Sequence, residues 1–310
     1  MFAGDKVKNE TTIPIITAAA GNVIWGFSFL FARMAMKTAP VVVYLSIRFI
    51  LAFLLLNIFI LSGKEKVSFR GKKIMPLLLL SVAEPIYFYF ETFGIVYTNA
   101  TFAGVILAVV PVVSLAAAAL VLKEYPTRRQ TLFCILPVAG VILMTISGKE
   151  MGIIRPIGVF LLICCCLTSA VYKIANRKSA EEFTTFERTY FVILICAVWF
   201  TMAAVRETGG NLSEYLAPLQ VPSFVVAVII LSVFCSVAAG LLVNYAAARM
   251  PVVNLATFGT LTSVVAAFAG ILFLDEPMSA MSLAGTLLIL YGIWQVTRPE
   301  NAEAEGERSE

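Results

Sequence analysis

Charged residues in this chain fall between apolar blocks rather than inside them, and each block is about as long as a bilayer is thick. A span needs about 20 apolar residues to cross roughly 30 Å of hydrocarbon, so the chain can hold about ten spans and little else. With 60% hydrophobic residues, 14% charged residues and a mean hydropathy of +0.92, it lies outside the range of soluble domains. The expected fold is an all-α polytopic membrane protein. Helices are placed near 13–35, 40–62, 74–96, 99–122 and 129–147, then near 154–176, 184–204, 221–247, 251–274 and 278–297. Lys6 and Lys8 precede an apolar segment without a small-residue cleavage site, so that segment reads as the first span and not a cleaved signal. No separate soluble domain is expected. Residues 1–12 and the acidic tail 298–310 are assigned to the cytoplasm, the tail as disordered.

Lysine and arginine set the expected orientation. With the N-terminus inside, seventeen fall on the cytoplasmic side, including Lys64, Lys66, Arg70, Lys72, Lys73, Lys123, Lys173, Arg177 and Arg188. Five (Arg33, Lys37, Lys149, Arg155, Arg206) fall opposite, and Arg48 stands inside a span. That is a positive-inside pattern with both termini cytoplasmic. The basic residues are expected to meet anionic lipid headgroups, and no nucleic-acid partner is implied.

The chain also repeats. Leu120-Val121-Leu122-Lys123-Glu124 recurs 152 residues later as Leu272-Phe273-Leu274-Asp275-Glu276, and the same offset places Gly94 on Ala246 and Gly140 on Gly292. Five spans per half is an odd number, so the halves, 13–147 and 154–297, are expected to insert in opposite senses. Inverted repeats with a site at their interface characterise secondary transporters, because exchanging the halves' conformations gives alternating access.

The third block, LSVAEPIYFYFETFGIVYTNA, carries Glu84 and Glu91 among aromatic residues. A charge near mid-bilayer costs several kcal/mol on the lower scales, so intramembrane acids usually face a cavity. Seven-residue spacing puts the two acids on one helical face, roughly 10 Å apart along the axis. Glu91 is read as an acid that can exchange a proton for a substrate group, with a structural hydrogen bond as the alternative. Glu84 precedes Pro85 and so is also placed to accompany a kink. Tyr87 and Phe88 lie near the same face. Arg48 is open to snorkelling, to pairing with a carboxylate such as Glu84, or to binding a substrate carboxylate; the pairing is the expected role. Trp25 and Phe29 share a face that can form cavity wall. Asn254 and Thr257, with Leu261, share one face of the ninth helix. Lys173 is expected to snorkel.

These residues resemble the EamA-type branch of the drug/metabolite transporter superfamily over roughly residues 13–297. The marks are Trp25-Gly26, Arg48-Phe49, Gly94 through Thr98, Pro111, and the apolar-to-acidic helix ends at Glu124 and Glu276, followed by helices containing Gly140, Gly285 and Gly292. The second half departs from the first: Ser263 stands where the repeat would place another Pro111, and Thr168-Ser169 stands near the Trp-Gly position. The resemblance implies a ten-helix carrier in the plasma membrane. Its central cavity would be lined mainly by helices one, three, four, six, eight and nine, and its cargo would be amino acids, other metabolites or amphiphilic compounds.

Two function classes are set against each other. A secondary carrier would export a small organic metabolite or amphiphile, amino-acid-like or cationic, coupled to protons through Glu91 or Glu84; an uptake permease or solute exchanger has the same fold. The binding set is Glu84, Glu91, Tyr87, Phe88, Trp25, Arg48, Asn254 and Thr257. A membrane-embedded enzyme would need a nucleophile or metal set. The chain has no histidine, and its six cysteines sit in apolar stretches without metal-ligand spacing. No cofactor and no metal are expected, and ten helices in two repeats can complete a carrier as a monomer.

Overall fold

The computed structural model describes residues 2–98, 106–107, 109–146, 155–274 and 280–297. Among these every regular element is helical. The first half holds α1 (Phe2–Met36), α2 (Val41–Leu61), α3 (Met75–Tyr97), α4 (Val110–Val121), α5 (Arg128–Phe133) and α6 (Ile135–Ile146). The second holds α7 (Pro156–Ser179), α8 (Thr185–Glu207), α9 (Leu212–Leu216), α10 (Pro222–Ile230), α11 (Ala239–Ala247), α12 (Val252–Phe258), α13 (Leu261–Leu274) and α14 (Ala280–Thr297). Thr12–Met36, Val41–Leu61, Pro156–Ser179, Thr185–Glu207 and Pro222–Ala247 are each long and apolar enough to cross a membrane, and shorter apolar helices cover Val110–Val121, Val252–Ala266 and Leu283–Val296. The protein is an all-α, polytopic membrane protein.

Three expected continuous helices are interrupted. The block 129–147 divides at Cys134 into α5 and α6. Pro137 accounts for it: its ring clashes with the carbonyl four residues back, at Phe133, and offers it no N–H. The block 221–247 passes through a π-helical stretch, Leu231–Ala238, between α10 and α11. The block 251–274 breaks at Gly259 and Thr260, so α12 and α13 do not share one helical register. The polar connection after α8 folds partly into α9 and a 3₁₀ turn at Ala217–Gln220. The tail 298–310, the Asp275-Glu276 half of the repeated motif and Lys149 lie outside the described residues, as does the start of the fourth expected helix.

The packing respects an exchange of halves. α3 lies along α7 as α10, the π-helical stretch and α11 lie along α1; α4 meets α7 as α13 meets α1. α3 touches α8 as the π-helical stretch touches α2. The self-paired contacts, α2 with α8, α6 with α14 and α4 with α12, are what a two-fold axis between the halves requires. At the α6–α14 crossing the backbones nearly touch: a Cβ on Gly140 would stand 2.5 Å from the Gly285 carbonyl oxygen, and one on Gly292 would overlap Pro137 Cδ. Small residues permit such approach between membrane helices. Phe49 stacks on Phe200 at 5.7 Å across the α2–α8 contact, at the heart of one buried cluster; a second joins α1, α11, α12, α13 and α14.

Two loop features hold the end of the bundle where α2 and α8 meet. Thr184 and Glu187 form a capping box at the start of α8. Glu187 also accepts hydrogen bonds from Ser68 N–H at 2.9 Å and from Lys72 Nζ at 2.7 Å. Lys72 is therefore paired within the protein.

Candidate functional site

A cavity of about 390 Å³ opens between the halves, within the usual range for small-molecule sites. Its wall draws on α1, α3, α4, α7, the π-helical stretch with α11, and the α12–α13 segment, with additions from α2, α6 and α8. α2 and α8 enter because Arg48, Phe49, Thr189, Val192 and Ile193 turn inward from their contact.

On α3, Glu84, Tyr87, Phe88 and Glu91 all line the cavity, as i, i+3, i+4 and i+7 spacing dictates. The helix continues through Pro85. Tyr87 Oη donates to Glu91 Oε1 at 2.8 Å. Glu84 has no hydrogen-bond partner among the described residues, while Lys173, Glu91 and Arg48 lie within its electrostatic reach. α3 and α7 run antiparallel: Gly94 abuts Leu162, and Cys165 Sγ contacts the Tyr87 carbonyl. Glu84 therefore stands at the level of the α7 segment that carries Ser169, Tyr172 and Lys173, all of which line the cavity.

Trp25 and Arg48 also reach the cavity, each already engaged with the eighth apolar block. Trp25 Nε1 donates to the Cys235 carbonyl at 2.9 Å, within the π-helical stretch. Arg48 is not paired with Glu84. Its Nε donates to Ser236 Oγ at 2.8 Å and its guanidinium lies over the Phe49 and Phe88 rings at 5.3 and 6.0 Å. No carboxylate among the described residues is within ion-pair distance of it; the aromatic faces supply the negative potential instead.

Asn254 and Thr257 fall off the cavity wall. Asn254 Oδ1 accepts from Gln130 Nε2 at 2.9 Å, and Thr257 Oγ1 bonds back to the Val253 carbonyl at 2.8 Å. The inward face is instead Leu255, Ala256, Gly259 and Thr260; Asn254 is held to Gln130, and α12 ends at Gly259. The Phe29 side chain lies outside the described residues.

Lys173 does not snorkel. Helical side chains lean toward the N-terminus, and Nζ reaches back one turn to Ser169 Oγ at 2.6 Å, into the cavity wall. Arg188, placed by charge counting on a solvated face, is 1% exposed. It donates to the Asn244 carbonyl at 2.7 Å and to Asn176 Oδ1. Asn244 in turn accepts from Asn176 Nδ2 at 2.6 Å and donates to Thr189 Oγ1 at 2.7 Å. Asn244 and Thr189 face the cavity, so this network forms one of its ends. The i, i+4 pair Ser169/Lys173 and the i, i+3 stripe Asn22, Trp25, Ser28 were visible as periodicity, but nothing in a single sequence distinguishes them from packing or interfacial residues.

At the same end the halves are tied together. Glu124, just past α4, accepts from Arg177 Nε and from Val252 N–H, both at 3.2 Å. Arg177 Nη1 also donates to the Ala248 carbonyl at 2.5 Å. Lys123 holds a left-handed conformation (φ 56°) that turns Glu124 back toward α7.

The model of the EamA-like transporter family matches residues 12–146 and again 156–298. A Bacillus subtilis (strain 168) protein described as "Uncharacterized transporter YcxC" is 34% identical over 291 residues, covering 93% of each chain. An Archaeoglobus fulgidus protein described as "Uncharacterized transporter" is 22% identical over 286 residues, covering 91% of this chain and 98% of its own. A crystal structure with 16% identity superposes with a TM-score of 0.76 over 94% of this chain and 96% of the other, a likeness of fold.

Proposed function

The chain belongs to the EamA-like transporter family, and from that premise we propose that this membrane transporter moves small organic metabolites or amphiphilic compounds by alternating access, as a proton-coupled exporter. The substrate would occupy the cavity between the halves. The observation that carries this reading is the placement of Glu84 and Glu91 on that cavity's wall beside Tyr87 and Phe88, in a bundle whose contacts exchange under a two-fold axis. An exchange-symmetric bundle has two conformations of related packing, one open to each side. The two carboxylates can hold a proton or a cationic substrate group, and the rings accept an ammonium or an apolar substrate surface.

The two acids suit different tasks. Glu91 already receives the Tyr87 hydroxyl, whereas Glu84 accepts no hydrogen bond among the described residues, which suits it to exchange a proton for a substrate group. We place both termini and the Glu124–Arg177 tie on the cytoplasmic side, following the positive-inside pattern. The protein would work in the plasma membrane as a monomer of ten spans. Compound-driven proton movement in proteoliposomes, followed with an entrapped pH dye, tests the reading with Glu84→Gln and Glu91→Gln alongside. A signal from one compound class that either variant loses is the expected result. Compound movement without a proton signal points to a solute exchanger or permease of the same fold.

A further inference from the structure

We propose that Lys173 contacts the substrate directly and pairs with an acidic group on it, so that the carrier selects compounds bearing a carboxylate or similar anion over matched amines. The inference rests on the carrier reading above and adds a specificity determinant to it.

Lys173 lines the cavity, yet among the described residues its only hydrogen bond is the one to Ser169 Oγ at 2.6 Å. An ammonium has three donors, so two remain for the cavity. No carboxylate among the described residues reaches ion-pair distance, although Glu84 stands at the same level on the antiparallel neighbour. Arg48, the other cation of the wall, differs: its Nε is taken by Ser236 and its face by Phe49 and Phe88. Among the described residues, Lys173 is thus the cation of the wall with neither ring nor bidentate partner.

A second observation points the same way. Behind the end of the cavity next to Lys173, Arg188 is 1% exposed, has no acidic counter-ion among the described residues, and leaves its Nε without a partner. Its charge is anchored to Asn244 and Asn176, and Asn244 faces the cavity. A buried cation without a counter-ion gives that end a positive potential, which favours an anion there, while Glu91 lies toward the other end. A zwitterion matches both: its acid meets Lys173, and its ammonium meets Glu84 or Glu91.

The test uses the full-length protein in nanodiscs and a matched set: L-phenylalanine, L-phenylalaninamide, phenethylamine and 3-phenylpropionate, with the leucine equivalents. Thermal stabilisation reads binding, and counterflow of labelled compound in proteoliposomes reads transport. Acid-bearing compounds should stabilise the wild type at concentrations at least tenfold below those of the matched amide and amine. Lys173→Met and Lys173→Gln should lose that preference, and Lys173→Arg should keep it. Equal response of the wild type to acid and amine overturns the inference without any variant, as does a preference that survives in Lys173→Met, or a wild type that no acid stabilises. Counterflow of amines as readily as of acids overturns it while leaving the carrier intact. Acid-selective binding with no counterflow of any compound sinks the carrier reading and leaves the role of Lys173 standing.

Discussion

The tie between Glu124 and Arg177 should set how readily the cavity opens on its side. Glu124→Ala removes the ion pair with Arg177 and the bond from Val252 N–H, both at 3.2 Å and both joining one half to the other. The two charged side chains are 34% and 28% exposed, so screening leaves the pair about 0.5 kcal/mol. The backbone N–H to a charged acceptor in this half-wet setting adds about 1 kcal/mol. Together they come to about 1.5 kcal/mol, or roughly tenfold in the population open on that side. Glu124→Gln keeps an acceptor for Val252 and should shift it only about twofold. Ser263 lines the cavity, so a Ser263→Cys reporter in a background lacking the six native cysteines can be alkylated with a membrane-impermeant maleimide applied from either face. The alkylation rate from the Glu124 side should rise about tenfold in Glu124→Ala and fall from the opposite side. Unchanged rates, or an equal rise from both faces, would refute the assignment of this contact as a closure.

Other contacts make further predictions. Trp25→Phe leaves the Cys235 carbonyl without its 2.9 Å donor, at a cost of about 1–3 kcal/mol, and should lower the detergent melting temperature; an unchanged melt means the π-helical stretch satisfies that carbonyl itself. Gly140→Ala puts a methyl 2.5 Å from the Gly285 carbonyl oxygen and 2.7 Å from Ile289 Cγ1, an overpacking cost of about 1–3 kcal/mol. Gly240→Ala meets only Thr189 Cγ2 at 3.4 Å and should be neutral or slightly stabilising, so equal melts for the two variants would contradict the crossing described for α6 and α14. Ser236→Ala strips the Arg48 guanidinium of its only hydrogen bond among the described residues and should weaken substrate binding more than it lowers the melt. A larger stability loss than binding loss would make Arg48 a structural residue.

Several features of the site were legible before any coordinates. The Glu84–Tyr87–Phe88–Glu91 stripe follows from helical period alone, and α3 runs unbroken through it, so all four reach the cavity. The same reasoning failed at Asn254 and Thr257 because their helix stops at Gly259 and their side chains are taken by Gln130 and the Val253 carbonyl. Arg48 lies inside a span, which the sequence shows, but its partner Ser236 lies 188 residues away and the pairing with Glu84 did not form. Lys173 and Arg188 sit near the ends of apolar blocks, where charge counting assigns them to water. Only the packing of α7, α8 and α11 encloses them.

Which segments leave water is written in the chain, because the free energy of moving a residue into lipid is local and sums along about 20 neighbours. The duplication of the fold is written there too, in the spacing of Glu124 and Glu276. What faces inward is decided elsewhere. A helix in a bilayer has no water-facing side to fix its rotation, so its orientation is set by close packing with other helices, such as Gly26 against Val265 or Gly140 against Gly285. Those contacts join residues far apart in the chain, and they determine which lysine meets the cavity and which arginine stays buried behind it.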